Sequence, residues 1–272
     1  MTRRRPLLLG AAVAAVAALA LAGCASNPDS GSDGGKPAAG ADYELVTAGT
    51  LTVCSDIPYK PFEYPDESGS GYTGFDVDIL TAIAEKLDLK AEFVVTNFDA
   101  LQSGTALLAG NCDMGGSAMT ITDERKKNID FSAPYYDSLQ SLLVRTDSGI
   151  KSIDDLSGKN VGVQQGTTGE NYAKENAKGA TLTQFSDDGV LWPALQAGQI
   201  DAILQDLPVN IEHEKADKTY KVVETYNTDE QYGFAFAKGQ KDALRKAVDE
   251  QLKALKDDGE YDKIYDKYFS AK

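Results

Sequence analysis

Short apolar runs alternate with longer amphipathic stretches along most of the chain, starting near residue 43. Runs such as 51–55 are bounded by polar and turn-forming residues, which is typical of buried strands. The stretch 75–87 instead repeats apolar residues every three or four positions, which is typical of a helix with one buried face. Because the two patterns alternate, the sequence predicts an α/β fold.

The alternation continues along the chain and predicts two blocks of strand, helix and strand. The predicted strands are 51–55, 90–95, 112–117, 160–163, 181–185 and 201–204, and the predicted helices are 75–87, 99–109, 169–177 and 191–197. The last third differs, because a strand-like stretch at 232–237 is followed by two amphipathic helices, 244–255 and 261–268. A helix that connects neighbouring strands leaves them parallel, so the two blocks predict two lobes with parallel sheets.

The N-terminus predicts export. Three arginines at 3–5 precede the apolar stretch 7–22, which ends in Leu21-Ala22-Gly23-Cys24. This stretch is shorter than the roughly 20 residues that a membrane-spanning helix needs, and it is typical of a signal peptide. The four residues that end it resemble the lipobox of bacterial lipoproteins, whose cysteine is acylated. An ordinary secretory signal with an incidental cysteine is the alternative. We predict a lipoprotein signal peptide at 1–23, and an extracytoplasmic protein that is anchored to the membrane by lipid on Cys24.

Composition narrows the possible partners. Residues 24–42 are mostly Gly, Ser, Ala, Pro and Asp, which predicts a flexible tether. The net charge of −15 disfavours binding to nucleic acid and to anionic membrane surfaces. Contact with the membrane is therefore predicted only through the lipid anchor.

Cysteine and histidine are too sparse to predict a metal or redox site. Cys54 and Cys112 form no Cys-x-x-Cys pair, and His213 is the single histidine. In an oxidising compartment the two thiols could form a disulfide if their Cα atoms lie close together, which the sequence does not establish, so the pairing stays open. The polar run 212–217 predicts a solvated helix face for His213. No cofactor and no catalytic residue are expected.

Two other patterns have ordinary structural interpretations. Residues 69–74 fit the dinucleotide-binding pattern G-x-G-x-x-G, but turn-forming residues rather than a buried strand precede them, which predicts a hairpin tip. Asp76 and Asp78 fall in the first turn of a predicted helix, where carboxylates complement the helix dipole.

Several motifs together resemble the polar-amino-acid solute-binding proteins of ABC importers, family 3 of the bacterial extracellular solute-binding proteins. The matching motifs are 74–87, 59–63, 121–127, 129–132, 165–168, 205–206 and 231–233, in the family's order and spacing. The resemblance implies a two-lobe, type II periplasmic-binding-protein-like fold with two hinge crossings, near 135–139 and 230–233. It implies that lobe 1 contains 43–136 and 232–272 and that lobe 2 contains 137–231, in a monomer.

The resemblance and the chemistry of the residues together indicate a site for a zwitterion. Arg125 is the expected carboxylate anchor, since a guanidinium makes a planar two-point contact, and Thr120 adds a hydroxyl and a backbone N–H. Thr167 and Thr168 open a predicted helix whose N-terminus can face the same carboxylate, although a helix cap is an equal alternative. The resemblance implies that Asp206 binds the ammonium with help from Ser117; otherwise Asp206 would be an N-cap.

The remaining candidate residues concern the ligand side chain. The resemblance implies that Tyr59 and Phe98 form aromatic walls and that Asp56 faces the far end of a long polar side chain. Ala118 and Gln164 stand where relatives have other residues, so glutamine, a cationic amino acid and cystine all remain open. The expected function is to bind a free polar amino acid and deliver it to an ABC permease. A ligand-sensing receptor subunit and a cyclohexadienyl-dehydratase-like enzyme are the alternatives.

Overall fold

The structure is a computed structural model that describes residues 43–69 and 71–270. The predicted signal peptide, the lipidation at Cys24 and the tether at 24–42 lie outside these residues. Within the described ranges, no helix combines the length and the apolar character that crossing a bilayer requires.

Strands and short helices alternate through most of the described chain. The strands are β1 (Thr50–Ser55), β2 (Tyr64–Pro65), β3 (Tyr72–Thr73), β4 (Lys90–Val95), β5 (Met114–Gly115), β6 (Ile129–Phe131), β7 (Tyr136–Arg145), β8 (Asn160–Gln164), β9 (Thr181–Phe185), β10 (Ala202–Asp206), β11 (Tyr220–Tyr232) and β12 (Ala235–Ala237). The helices are α1 (Phe75–Lys86), α2 (Phe98–Gln102), α3 (Thr105–Leu108), α4 (Thr168–Asn176), α5 (Asp188–Gln196), α6 (Leu207–Ala216), α7 (Asp242–Asp257) and α8 (Glu260–Phe269). Two 3-10 turns occupy Arg125–Lys127 and Ile153–Leu156.

The first sheet has the strand order β4-β1-β5-β12-β6. Strand β1 pairs in parallel with β4 and β5, as the alternation predicts, but β12 pairs antiparallel to β5 and β6. The buried faces of α1 and α7 pack on this sheet, with Leu80 and Leu252 among the core side chains. The prediction of a parallel sheet is therefore wrong for β12, because this strand re-enters from the second sheet in the opposite direction.

The second sheet has the order β11-β7-β10-β8-β9 and is also mixed. Strand β8 is parallel to β9 and β10, whereas β7 is antiparallel to β10 and β11. The chain passes from the first sheet to the second between β6 and β7 and returns between β11 and β12. These two passages lie side by side, since Tyr232 pairs with Tyr136 and Glu230 pairs with Ser138. The boundaries assigned to the two lobes stay a prediction.

One predicted helix is wrong and one predicted strand is too long. The stretch 99–109 forms two helices, α2 and α3, which are separated at Gly104. Gly104 has a φ of 82°, and a Cβ there would lie 2.9 Å from the carbonyl oxygen of Asn128. Only glycine meets both conditions without strain, so the helix breaks there. The predicted strand 112–117 is reduced to the two residues of β5.

Cys54 and Cys112 form a disulfide, a pairing that the sequence left open. Parallel pairing places Val53 of β1 beside Met114 of β5, and the two neighbouring cysteines then have Cα atoms 5.7 Å apart. This distance lies within the range that disulfides span. The pairing of β1 with β5, a long-range contact, is what the sequence could not supply.

The prediction of a solvated His213 is also wrong. His213 is buried because α6 packs against β7, β10 and β11. Its Nε2 lies 2.9 Å from Asp188 Oδ1, and its ring stacks on Trp192 with centroids 4.4 Å apart. The hairpin that was predicted near the glycine-rich stretch is present, because β2 and β3 pair with each other.

Candidate functional site

A small, largely enclosed cavity lies between the two sheets. All eleven residues that the sequence predicted for the site line it: Asp56, Tyr59, Phe98, Ser117, Ala118, Thr120, Arg125, Gln164, Thr167, Thr168 and Asp206. Three of them follow or end the parallel strands β1, β8 and β10, namely Asp56, Gln164 and Asp206. The carboxyl ends of parallel strands are where open α/β sheets bind ligands.

Arg125 is a buried cation that neutral groups hold in place. It begins the 3-10 turn after the first sheet's β5, and its side chain is largely shielded from solvent. Its Nη1 donates to the Thr120 carbonyl at 2.7 Å and its Nη2 donates to the Gly166 carbonyl at 3.0 Å. The guanidinium also lies 5.1 Å from the centroid of the Phe98 ring. Burial lowers the pKa of Arg125 to about 10, which leaves it charged at neutral pH.

Asp206 is a buried acid that accepts hydrogen bonds from three neutral side chains. Tyr59 Oη donates to Asp206 Oδ2 at 2.9 Å, Tyr232 Oη donates to the same oxygen, and Gln140 Nε2 donates to Oδ1. Burial, followed by the negative charge of Glu230, raises the pKa of Asp206 to about 7. Asp206 stands at the N-cap position of α6, but its side chain makes no capping hydrogen bond. The N-cap alternative therefore does not account for this carboxylate.

Asp56 and Gln164 meet across the cavity from different sheets. Gln164 Nε2 donates to Asp56 Oδ2, and Asp56 follows β1 while Gln164 ends β8. Burial is the largest cause that raises the pKa of Asp56 to about 7; the charges of Asp187 and Asp188 raise it further. The cavity thus contains a second acid that is partly ionised near neutral pH.

The two threonines at the start of α4 have different roles. Thr167 is the N-cap, since its hydroxyl accepts from the Glu170 N–H at 3.0 Å and donates to the Gln164 carbonyl at 2.8 Å. The Thr168 hydroxyl instead donates to Glu230 Oε2 at 2.7 Å. The helix-cap alternative thus describes the hydroxyl of Thr167, whereas that of Thr168 is bonded within the cavity wall.

Behind Ser117 and Ala118 lie two acids that are completely buried, Glu63 and Asp76. Ser117 Oγ donates to Glu63 Oε1 at 2.7 Å, and the N–H of Ala118, which has a φ of 43°, donates to Asp76 Oδ2 at 2.9 Å. Burial and mutual repulsion raise the pKa of Glu63 well above its ordinary value, and burial raises that of Asp76 to about 7. Asp76 does begin α1, but complementing the helix dipole is not its whole role, because it also fixes the cavity wall at Ala118.

Sequence reasoning missed three polar residues next to the cavity: Gln140, Glu230 and Tyr232. All three are buried and contact predicted site residues, and Gln140 Nε2 also donates to Glu230 Oε1 at 3.1 Å. Tyr232 lies in the motif 231–233 that the sequence did single out, and Glu230 directly precedes that motif. A glutamine among the apolar residues of β7 was the signal that could have identified Gln140. A polar side chain in a strand that is expected to be buried needs a hydrogen-bond partner.

Residues 51–271 match the bacterial extracellular solute-binding proteins, family 3. The chain belongs to this family. It is 34% identical over 226 residues to the L-cystine-binding protein TcyJ of Escherichia coli strain K12, which covers 82% of this chain and 84% of the relative. It is 36% identical over 211 residues to the ABC transporter glutamine-binding protein GlnH of Bacillus subtilis strain 168, with 76% of each chain covered.

Solved structures support the same assignment at the level of the fold. The ancestral amino acid-binding protein AncCDT-1, a precursor of cyclohexadienyl dehydratase, is 42% identical and superimposes with a TM-score of 0.75. The alignment covers 82% of this chain and 96% of that protein. The predicted α/β fold with two lobes is therefore confirmed, and the cavity lies where the two lobes face each other.

Proposed function

We propose that this protein is an extracytoplasmic receptor that binds a free polar amino acid in the cavity and delivers it to an ABC permease. The proposal rests on one observation: a buried cation and a buried acid line the same cavity. Arg125 is bonded to backbone carbonyls and Asp206 to neutral donors, and among the described residues neither takes part in an ion pair. An amino acid zwitterion supplies the carboxylate and the ammonium that these two groups lack.

Burial explains why such a ligand is favoured. A charged group that leaves water loses several kcal/mol of hydration unless an opposite charge and hydrogen bonds replace the water. Carbonyl oxygens satisfy only part of the guanidinium of Arg125, which has five N–H donors. A bound carboxylate offers it the two-point contact that a guanidinium prefers. The ammonium of the same ligand would in turn favour the ionised form of Asp206.

Hydrogen bonds join residues of different sheets around the cavity, and they support a mechanism in which the two lobes close around the ligand. Arg125 donates to Gly166, Tyr59 donates to Asp206, and Gln164 donates to Asp56. A ligand that contacts both sides binds the closed form more tightly than the open form, so it shifts the population toward closure. The side-by-side passages between the sheets would act as the hinge, and the permease would recognise the closed form.

The ligand side chain is expected to carry a hydrogen-bond donor. Asp56 is a buried acid on the cavity wall, and an aliphatic side chain next to it would remove its water without replacing the lost hydrogen bonds. TcyJ and GlnH, as named, bind L-cystine and glutamine, which both carry polar groups beyond the α-carbon. A polar amino acid is therefore the proposed ligand class.

We also propose that the protein is lipidated on Cys24 and acts outside the cytoplasm as a monomer. The Cys54–Cys112 disulfide supports export, because such bonds persist in oxidising compartments. Cys24→Ser should move the protein from the membrane fraction to the soluble fraction. Wild-type protein that is wholly soluble and carries an unmodified N-terminus would contradict the anchor.

A thermal-shift screen against all amino acids tests the binding function. A ligand present at 100 times its Kd stabilises the folded protein by about 2.7 kcal/mol, which is readily detected. Calorimetry then gives the affinity, and Arg145→Ala serves as a matched control, since Arg145 is exposed and pairs with Asp147. If no amino acid shifts the melting temperature, the proposal fails. Chemical turnover of an amino acid or of a cyclic dicarboxylate would favour the dehydratase-like alternative.

A further inference from the structure

Glu230 is a buried acid that links the two sides of the cavity, although it is not among the predicted site residues. It lies in β11 close to the return passage between the sheets. Its Oε2 accepts a hydrogen bond from the Thr120 hydroxyl at 2.6 Å and another from the Thr168 hydroxyl at 2.7 Å. Thr120 follows the first sheet's β5, whereas Thr168 begins α4 on the second sheet. One carboxylate oxygen therefore holds a hydroxyl from each side.

The other oxygen of Glu230 is also bonded. Its Oε1 accepts from Thr228 Oγ1 at 2.8 Å and from Gln140 Nε2 at 3.1 Å. Gln140 Nε2 lies in addition 3.3 Å from Thr168 Oγ1 and donates to Asp206. Glu230 is thus held in one orientation by four donors, and its position relative to the two threonine hydroxyls is well defined.

These contacts determine the direction of two hydroxyl protons. A carboxylate oxygen can only accept hydrogen bonds, and each threonine hydroxyl has a single proton. The protons of Thr120 Oγ1 and Thr168 Oγ1 therefore both point to Glu230. What these hydroxyls can offer to a ligand is lone pairs, so they accept hydrogen bonds and do not donate them.

We propose that Glu230 is a positioning residue that sets the direction in which the zwitterion binds. By holding both hydroxyl protons, it makes Thr120 and Thr168 acceptors that suit the ammonium of the ligand and disfavour its carboxylate. The carboxylate is then left to Arg125 and to backbone N–H groups. The inference rests on the proposed function, and it revises the expectation that the Thr120 hydroxyl binds the carboxylate.

Glu230→Gln tests the inference because it keeps the shape of the side chain but replaces one acceptor with a donor. An amide that donates to a threonine hydroxyl frees the proton of that hydroxyl to turn toward the cavity. The probes are L-glutamine and L-arginine, each compared with the acid that lacks only the α-ammonium, glutaramic acid and δ-guanidinovaleric acid. Calorimetry gives the ratio of the two dissociation constants for whichever pair contains a bound amino acid.

We expect the wild type to prefer the amino acid strongly and Glu230→Gln to reduce that preference by about tenfold or more, the usual effect of a hydrogen bond to a charged group. Thr228→Val is the matched control. It removes a hydrogen bond to Glu230 Oε1 but leaves the carboxylate and both cavity hydroxyls in place, so the ratio should stay at the wild-type value. An unchanged ratio in Glu230→Gln would overturn the inference.

A double-mutant cycle separates positioning from simple charge. If Glu230 acts through the hydroxyls, Thr168→Val should reduce the preference by itself, and its effect should not add to that of Glu230→Gln. Additive effects would mean that only the charge of Glu230 matters, which overturns the positioning role. Thr168→Val also gives an answer if Glu230→Gln does not fold. Wild-type protein that binds no amino acid would overturn the proposed function itself, whereas wild-type binding with an unchanged ratio overturns only the role of Glu230.

Discussion

Two of the charged groups that line the cavity, Arg125 and Asp206, are held in different ways. Backbone carbonyls of Thr120 and Gly166 hold Arg125, and the pKa of about 10 keeps it charged under all ordinary conditions. Three side chains from different elements hold Asp206, whose pKa of about 7 means that it is only partly ionised at neutral pH. The comparison indicates that the charge of the proposed anion-binding group, Arg125, is permanent, whereas the charge of the proposed cation-binding group, Asp206, depends on pH and on its neighbours.

The largest effect is expected from Arg125→Ala. The variant would leave the ligand carboxylate buried without an opposite charge, which costs about 2 to 5 kcal/mol, or roughly 30-fold to several thousand-fold in affinity. Arg125→Lys keeps the charge but loses the planar two-point contact, so it should recover only part of the loss. Calorimetry on folded variants measures both. Near-wild-type affinity for Arg125→Ala would mean that the carboxylate binds elsewhere.

Asp206→Asn should have a smaller effect that depends on pH. The asparagine keeps a carbonyl oxygen that can accept from Tyr59, but it has no charge for the ammonium. We expect about a hundredfold loss of affinity near pH 8, in the range for hydrogen bonds between charged groups. The loss should be smaller near pH 6, where the wild-type Asp206 is itself mostly protonated. An equal loss of affinity at both pH values would contradict the expectation that Asp206, unlike Arg125, has a charge that depends on pH.

Stability and affinity should change with pH in opposite directions. Asp56, Asp76 and Asp206 have pKa values of about 7 in the folded protein against 3.8 as the ordinary value. The folded state therefore holds more protons than the unfolded state between about pH 4 and 7. The contribution of these three groups to the stability of the ligand-free protein should be fully present below this range and be lost as pH rises through it, by at most about 1.4 kcal/mol per pH unit for each group.

Ligand affinity should instead rise over the same range, because Asp206 must be ionised to pair with the ammonium. With a pKa of about 7, only about 3% of Asp206 is ionised at about pH 5.5, so affinity there should be about thirtyfold weaker than at about pH 8. Calorimetry and thermal melts in the same buffers measure the two quantities. Asp206→Asn should flatten the affinity profile, and a steep profile in that variant would assign the titration to another group.

The resemblance to the family predicted the candidate site, and part of that site belongs to the matching local motifs. Arg125 stands within 121–127, Thr168 within 165–168 and Asp206 within 205–206, and the strands that carry Asp56 and Gln164 were predicted nearly to their ends. The repeating period of apolar residues also predicted α1 and α7 with little error at either end. Local patterns of this kind need no knowledge of which strands pair.

The features that the sequence could not predict depend on contacts between distant parts of the chain. The disulfide needs β1 beside β5, and the burial of His213 needs α6 to pack on the second sheet. Glu230 becomes part of the site only because β11 returns next to β7. A local pattern assigns a polar residue to the surface unless its partners are known, and these partners lie far away in the sequence.

Asp56 offers the smallest and most selective test of the comparison, since it is a second buried acid with a pKa of about 7. Asp56→Ala leaves Gln164 as the polar group nearest the former carboxylate. We expect the affinity for a donor-bearing ligand to fall about tenfold, the upper range for one hydrogen bond, while leucine and valine lose nothing or bind slightly better. The ranking of amino acids should therefore become flatter.

Competition among amino acids on the wild type and on Asp56→Ala measures this change. Asp147→Ala is the matched control, because Asp147 is exposed and pairs with Arg145 away from the cavity. If Asp56 only supported the adjoining turn, the variant would melt at a lower temperature and keep the wild-type ranking. Removing a carboxylate that contacts the ligand side chain must alter selectivity. An unchanged ranking would therefore mean that Asp56 does not contact the ligand side chain, and it would leave Asp206 as the one acid lining the cavity that contacts the ligand.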